Sequence, residues 1–123
     1  MQKLAEKTIY EIKKSKFWGY AYDVETLTEI EELLNQLKKE HKKATHIVYA
    51  YILSSPHQEK AVDDGEPSGT AGRPILNVLQ KRGLTNKVVF IVRYFGGIKL
   101  GAGGLVRAYT RTASEAVMHC FAS

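Results

Sequence analysis

Lys87-Val88-Val89-Phe90-Ile91-Val92-Arg93-Tyr94-Phe95-Gly96-Gly97-Ile98-Lys99-Leu100-Gly101-Ala102-Gly103-Gly104-Leu105-Val106-Arg107-Ala108-Tyr109 changes its hydrophobic rhythm twice. Residues 87–93 are β-branched through the middle and bounded by Gly83 and by Gly96-Gly97, which predicts an interior strand. From about Gly103 the residues Leu105, Val106, Tyr109, Ala113, Ala116, Val117 and Cys120 share one stripe, with Arg107 and Arg111 a turn apart on another, which predicts an amphipathic helix. Between the two elements five glycines occupy the nine positions 96–104. Glycine costs chain entropy, so such a cluster serves left-handed backbone or an approach that a Cβ would block. A helix that starts just afterwards directs its unpaired N–H groups into the loop.

Outward from this stretch, Thr45 to Leu53 is apolar on both alternating faces, as a central strand is, and Pro56 ends it. Thr8 to Lys13 and Phe17 to Val24 read as a hairpin turned at Lys14-Ser15-Lys16, with Trp18, Tyr20 and Tyr22 on one face as core. Thr26-Leu27-Thr28-Glu29 has capping-box spacing, and Leu27, Ile30, Leu33, Leu34 and Leu37 follow at helical period. A further helix is expected from about Thr70 to Arg82, with Thr70 or Ser68 as N-cap, Pro74 in the first turn and Gly83 as the C′ residue. These elements predict an α+β fold. The expected architecture is a two-layer sandwich in the order β-β-α-β-α-β-α, a mixed four-stranded sheet with helices on one face and an additional short strand near 58–63.

The chain has 123 residues, enough for one domain with a sizeable core. Its formal net charge of +5 favours polyanionic partners. Part of that charge, Lys38, Lys39, Lys42 and Lys43, closes the predicted first helix, where cations complement the helix dipole and are solvated. The single cysteine, Cys120, excludes an internal disulfide and a thiolate metal cluster. A reducing, cytoplasmic setting is expected. The longest apolar run, Val88 to Val92, is far below the roughly 20 residues that span a bilayer, and no apolar signal core opens the chain.

Nine of the ten glycines lie between positions 65 and 104. The first part of that region, Asp63-Asp64-Gly65-Glu66-Pro67-Ser68-Gly69-Thr70-Ala71-Gly72-Arg73-Pro74, places Asp63, Asp64 and Glu66 within four residues. They are weak candidates for Mg²⁺; the favoured reading is carboxylates placed ahead of a helix N-terminus and stabilised by its dipole and by Arg73. The second part reads as an anion site built from Arg93, Gly96, Gly97, Lys99, Gly101, Gly103, Gly104, Arg107 and Arg111, with Arg73 joining from the first segment. A tight structural turn is the alternative. The loop is neither a Walker A sequence nor the dinucleotide glycine pattern. Tyr94, Phe95 and Tyr109 accompany the basic groups, a mixture suited to single-stranded RNA or DNA. His41, His46, His57 and His119 lack metal-ligand spacing, and His46 reads as a structural histidine. No acid, base or nucleophile set is recognisable.

Glu11 to Phe17, Asp63 to Pro74 and Arg93 to Tyr109 together resemble the IMPACT/YigZ family, and the resemblance covers nearly the whole chain. It implies the left-handed βαβ-containing fold shared by the second domain of a small-subunit ribosomal protein, domain four of elongation factor G, the RNase P protein and the GHMP kinases. It also implies regulation of translation, since the eukaryotic members act by binding a partner that activates the amino-acid-starvation kinase. Bacterial members continue into a ferredoxin-like second domain, whereas this chain is expected to be a single IMPACT-type domain over 1–123. The expected function is a non-enzymatic module binding RNA, ribosomes, translation factors or another polyanion, without cofactor. The alternatives are a nucleotide- or phosphate-ligand protein or enzyme using the glycine-rich loop with Mg²⁺, and a protein-interaction domain.

Overall fold

The computed structural model describes residues 2–3 and 8–121; Ser123, where the expected single domain ends, lies outside them. Among the described residues the elements are β1 (Gln2–Lys3), β2 (Thr8–Ile12), β3 (Ser15–Asp23), α1 (Leu27–Glu40), β4 (His46–Ser54), β5 (His57–Val62), α2 (Gly72–Lys81), β6 (Lys87–Tyr94) and α3 (Gly101–Phe121). This is the expected α+β class with its three helices. The additional strand expected near 58–63 is β5.

The sheet differs from the expectation in direction and in number. Its strands run in the order β1-β3-β6-β4-β5, with β2 on the same edge of β3 as β1, and every pairing is antiparallel. The sheet is therefore six-stranded rather than a mixed sheet of four. The crossover β3-α1-β4 does run between parallel strands, but β6 inserts between them and bonds to both in the opposite direction. Central placement explains the composition of β6: Val88 to Val92 are all fully buried, because both faces of the strand are covered.

That double cover corrects a second expectation. On one face Tyr20, Tyr22, Tyr51, Leu53, Val88 and Phe90 pack under Ile30, Leu33 and Leu37 of α1. On the other, Phe17, Ala21, Val48, Ala50, Val89 and Ile91 pack against Ile75 and Leu79 of α2 and Leu105, Tyr109 and Ala113 of α3. The helices thus lie on both faces, in three layers, and the alternation of a two-sided strand assigns each side chain to its layer.

Local signals set the ends of these elements. Thr26 caps α1 in a capping box, its hydroxyl accepting from Glu29 N–H at 3.2 Å while the Glu29 carboxylate accepts from Thr26 N–H. At the end of α2, Leu84 N–H donates to Leu79 and Gly83 N–H to Gln80, and Gly83 takes φ 64°. That is a Schellman closure with glycine at C′, as expected. The hairpin turn is Lys13-Lys14, at φ 49° and 66°, rather than Lys14-Ser15-Lys16, because Ser15 is already a buried strand residue.

Candidate functional site

One rung of the sheet sets the geometry of the site. Tyr10 pairs with Phe17, Phe17 with Arg93, and Arg93 with His46, so four strands place these side chains side by side on the face covered by α2 and α3. Arg93 is 5% exposed, and its guanidinium carbon lies 5.4 Å from the ring centroids of both Phe17 and Phe95. A charge so deeply buried needs a partner. Arg93 Nη1 donates to Glu66 Oε2 at 2.7 Å, and Nη2 donates to Ser15 Oγ at 3.3 Å. Arg93 Nε is buried with no hydrogen-bond partner.

Glu66, 7% exposed, is the hub of this cluster. Its Oε2 also accepts from the Tyr109 hydroxyl at 2.5 Å, and its Oε1 faces His46 Nε2 at 3.4 Å. His46 Nδ1 lies 2.7 Å from the Asp64 carbonyl, which can only accept, so Nδ1 carries the proton. Burial, followed by the hydrogen bond to Glu66, pushes the Tyr109 hydroxyl far above its ordinary value, so it remains a donor.

The loop that presents Glu66 is held by the two aspartates before it. Asp63 accepts from the N–H groups of Gly69 at 2.9 Å, Ala71 at 3.2 Å and Gly72 at 2.8 Å. Partial burial pushes the Asp63 carboxyl up, but those three N–H groups outweigh it and hold it below the usual carboxylate value. Asp64 Oδ2 accepts from Ile47 N–H at 2.8 Å, tying the loop to the start of β4. Asp63 therefore performs the capping expected of Thr70 or Ser68. The residue at the N-cap is Ala71, which has no side-chain cap, and Thr70 Oγ1 donates instead to the Pro67 carbonyl at 2.6 Å. Of the three Mg²⁺ candidates, Asp63 and Glu66 thus have both carboxylate oxygens, and Asp64 one, against protein groups, and among the described residues no group of three His, Cys, Asp or Glu side chains converges as metal ligands.

Above the cluster opens a cleft of about 400 Å³ where the two glycine-rich segments meet. Thr45 and His46 form one wall, Glu66, Pro67 and Arg93 the floor, and Phe95, Lys99, Leu100, Gly101, Ala102 and Leu105 the other wall. The first turn of α3 carries no acidic residue, and its Gly101, Ala102 and Leu105 line the cleft, so the positive end of the helix dipole adjoins it. Of the expected anion-binding residues, Arg93, Lys99 and Gly101 line this cleft. Gly104, Arg107 and Arg111 line an adjacent groove with Tyr10, Ile12 and Lys13, and the Arg111 guanidinium stacks 4.3 Å from the Tyr10 ring centroid. Gly103 lies in the same first turn of α3, and Gly97 in the loop before it. Gly96 has a structural role, since a Cβ there would run into the Lys14 backbone. Arg73 stands on the exposed side of α2 and lines neither concavity.

Sequence reasoning missed Ser15 and Thr45, placed Tyr109 only as an aromatic beside the basic groups, and read His46 only as structural. Their convergence depends on strand register and on the packing of α3, which no local pattern encodes. Cys120 offers no nucleophile: burial pushes its thiol up to about 11, and it points to the Ala21 carbonyl. No helix among the described residues is long and apolar enough to cross a membrane.

The model of the Impact N-terminal domain matches residues 13–117. The chain is 50% identical over 109 residues to the IMPACT family member YvyE of Bacillus subtilis, covering 88% of this chain and 50% of that protein. It is 36% identical to the IMPACT family member YigZ of Escherichia coli, covering 89% and 55% respectively. A solved structure described as a hypothetical protein superposes with a TM-score of 0.86 at 36% identity, over 90% of this chain and 55% of that one. Yih1, described as a two-domain translational regulator, shares the fold at a TM-score of 0.60 and 24% identity, over 94% of this chain and 45% of that one. The chain spans about half the length of the curated relatives it matches. With a family model spanning most of its length and a relative identical at half the aligned positions, the chain belongs to the IMPACT family.

Proposed function

We propose that this domain is a non-enzymatic binding module that takes phosphate groups of RNA at the cleft between its two glycine-rich segments, in the service of translational regulation. One observation carries the reading. The cleft joins the α3 N-terminus, Lys99 and the Arg107–Arg111 groove into one cationic surface, while the one carboxylate in its lining, Glu66, is already matched by Arg93. Arg93 acts as the buried support of the floor, and Lys99, Arg107 and Arg111, all exposed, act as the phosphate contacts. The description of Yih1 as a translational regulator supports the biological setting.

The test is a salt titration of single-stranded RNA binding by filter retention. Each phosphate neutralised contributes a log–log slope of about −0.7. A Lys99→Ala/Arg107→Ala/Arg111→Ala variant should fold normally and lose about two units of slope, three contacts' worth. Absence of binding by the parent at low salt, or parent-like binding by the triple variant, would falsify the reading.

A second reading draws on the apolar part of the cleft wall, Pro67, Phe95, Leu100 and Leu105. A cleft of about 400 Å³ with such walls and a few polar groups also suits a nucleotide or phosphate metabolite. Thermal-shift measurements with nucleotides, with and without Mg²⁺, separate the two, because a ligand bound to the native state raises its stability by mass action.

A further inference from the structure

We infer that the cleft is the middle of a longer single-strand track, which enters by the Arg107–Arg111 groove and leaves over the lysines at the end of α1; the inference rests on the RNA-binding reading above. Three concavities share walls. The groove beside Tyr10 and the central cleft have Leu100 in common. The cleft and a third hollow have Thr45 and His46 in common, and that hollow is lined by Lys38 in the last turn of α1 and by Lys42 just beyond it. They follow one another across one end of the sheet, from the β2–β3 turn past the end of β6 to the start of β4.

The charge along this path is predominantly positive. Lys13, Arg107 and Arg111 stand at one end, Lys99 in the middle, and Lys38 and Lys42 at the other. Of the two acids lining the path, Glu66 is buried and paired with Arg93 and Tyr109, and Asp64, exposed at the α1 end, keeps its charge while its Oδ2 accepts from Ile47 N–H. Arg111 also reaches Glu115, at 3.7 Å, on the outer side of α3. Rings for base stacking stand along the way: Tyr10 in the groove and Phe95, 46% exposed, over the cleft. One face of each ring carries a guanidinium, Arg111 on Tyr10 and Arg93 on Phe95, and an aromatic ring combined with a cation is how single strands are held without sequence readout. Crossing from β2 to β4 takes three strand spacings, about 14 Å, and the flanking hollows lengthen that to a site of about four nucleotides or more.

Lys38 and Lys42 decide the matter, because the dipole of α1 already accounts for their presence and only a track gives them a ligand. The experiment measures filter retention of oligouridylates of about four and about twelve nucleotides across a salt series, for the parent, Lys38→Ala/Lys42→Ala and Arg107→Ala/Arg111→Ala. Each pair should lower the slope by about 1.4, so that the affinity lost between about 50 and about 200 mM salt shrinks about sevenfold. The longer oligomer should bind more tightly to the parent, and that advantage should fall in both variants. A parent-like slope for Lys38→Ala/Lys42→Ala beside a reduced slope for Arg107→Ala/Arg111→Ala overturns the track and leaves RNA binding at the cleft standing. Failure of the parent to bind either oligomer at low salt removes both. Displacement of the RNA by polyglutamate of equal charge overturns the track in favour of an acidic protein partner.

Discussion

Arg93 and Tyr94 are neighbours in β6, yet each organises a different polar cluster, because alternate residues of a strand face opposite sides of a sheet. On the α2–α3 face Arg93 gathers Glu66, Tyr109, His46 and Ser15. On the α1 face the Tyr94 hydroxyl lies 2.6 Å from His41 Nδ1, and the Tyr20 hydroxyl lies 2.7 Å from His41 Nε2. Trp18 packs edge-on against the same imidazole with ring centroids 5.2 Å apart. The first cluster holds a full ion pair and depends on a loop, residues 63–71, for its carboxylate. The second is built from aromatic hydroxyls and one imidazole, carried by strands and by the cap of α1. Burial pushes the Tyr20 and Tyr94 hydroxyls above their ordinary values, so they stay protonated. Removing one member of a buried ion pair strands a charge, which costs far more than losing a single hydroxyl–imidazole hydrogen bond.

The sharpest way to break this contrast is Glu66→Ala. It leaves Arg93 charged and buried without a counter-ion, and should cost about 3–5 kcal/mol by urea unfolding. A loss below about 1 kcal/mol would place the two clusters on the same footing. Next is Gly96→Ala, which forces a Cβ against the Lys14 backbone and displaces Gly96 N–H from Ser15 Oγ, which it meets at 3.2 Å. Overpacking of this kind costs about 1–3 kcal/mol. It should disturb the Arg93 side and leave near-ultraviolet signals from the α1 side nearly intact.

Asp63→Asn sharpens the comparison through pH. The native carboxyl sits below its ordinary value, so it contributes stability that is complete above the usual aspartate range and is lost as pH falls through the lowered native value. The variant should lose about 1 kcal/mol at neutral pH, within the range of lost helix caps. Its stability should also fall less steeply than the parent's below about pH 4. An unchanged acid limb would show that the loop carrying Glu66 is not held by this carboxylate. The smallest effect is expected of Tyr94→Phe, about 1 kcal/mol for the loss of one part-buried hydrogen bond.

What could be read in the sequence was local. The capping box at Thr26, the C′ glycine at Gly83 and the apolar run of β6 are each decided within a few residues, and all three are found as expected. The position of β6 between β3 and β4 was not legible. Val88 to Val92 are equally apolar whichever neighbours they bond to, and the resulting antiparallel register is a matter of long-range pairing. The same blindness hid the second helical layer, since the α1 stripe at Ile30, Leu33 and Leu37 fits either face of a sheet covered on both. Within the site, Lys99 and the glycines announced themselves by clustering. Tyr109 was legible as core and as an aromatic beside the basic groups, but its donation to Glu66 was not, because that depends on how α3 packs over the sheet.

The placement of Trp18 has a practical consequence. It is the only tryptophan in the chain, and its indole packs on His41, which borders the hollow shared by Lys38 and Lys42. The molecule therefore carries an intrinsic fluorophore at one end of the proposed track and on one of the two polar clusters. Its emission should shift when the α1 side of the sheet is perturbed and stay steady when only the Arg93 side is, allowing occupancy and cluster integrity to be followed optically without any label.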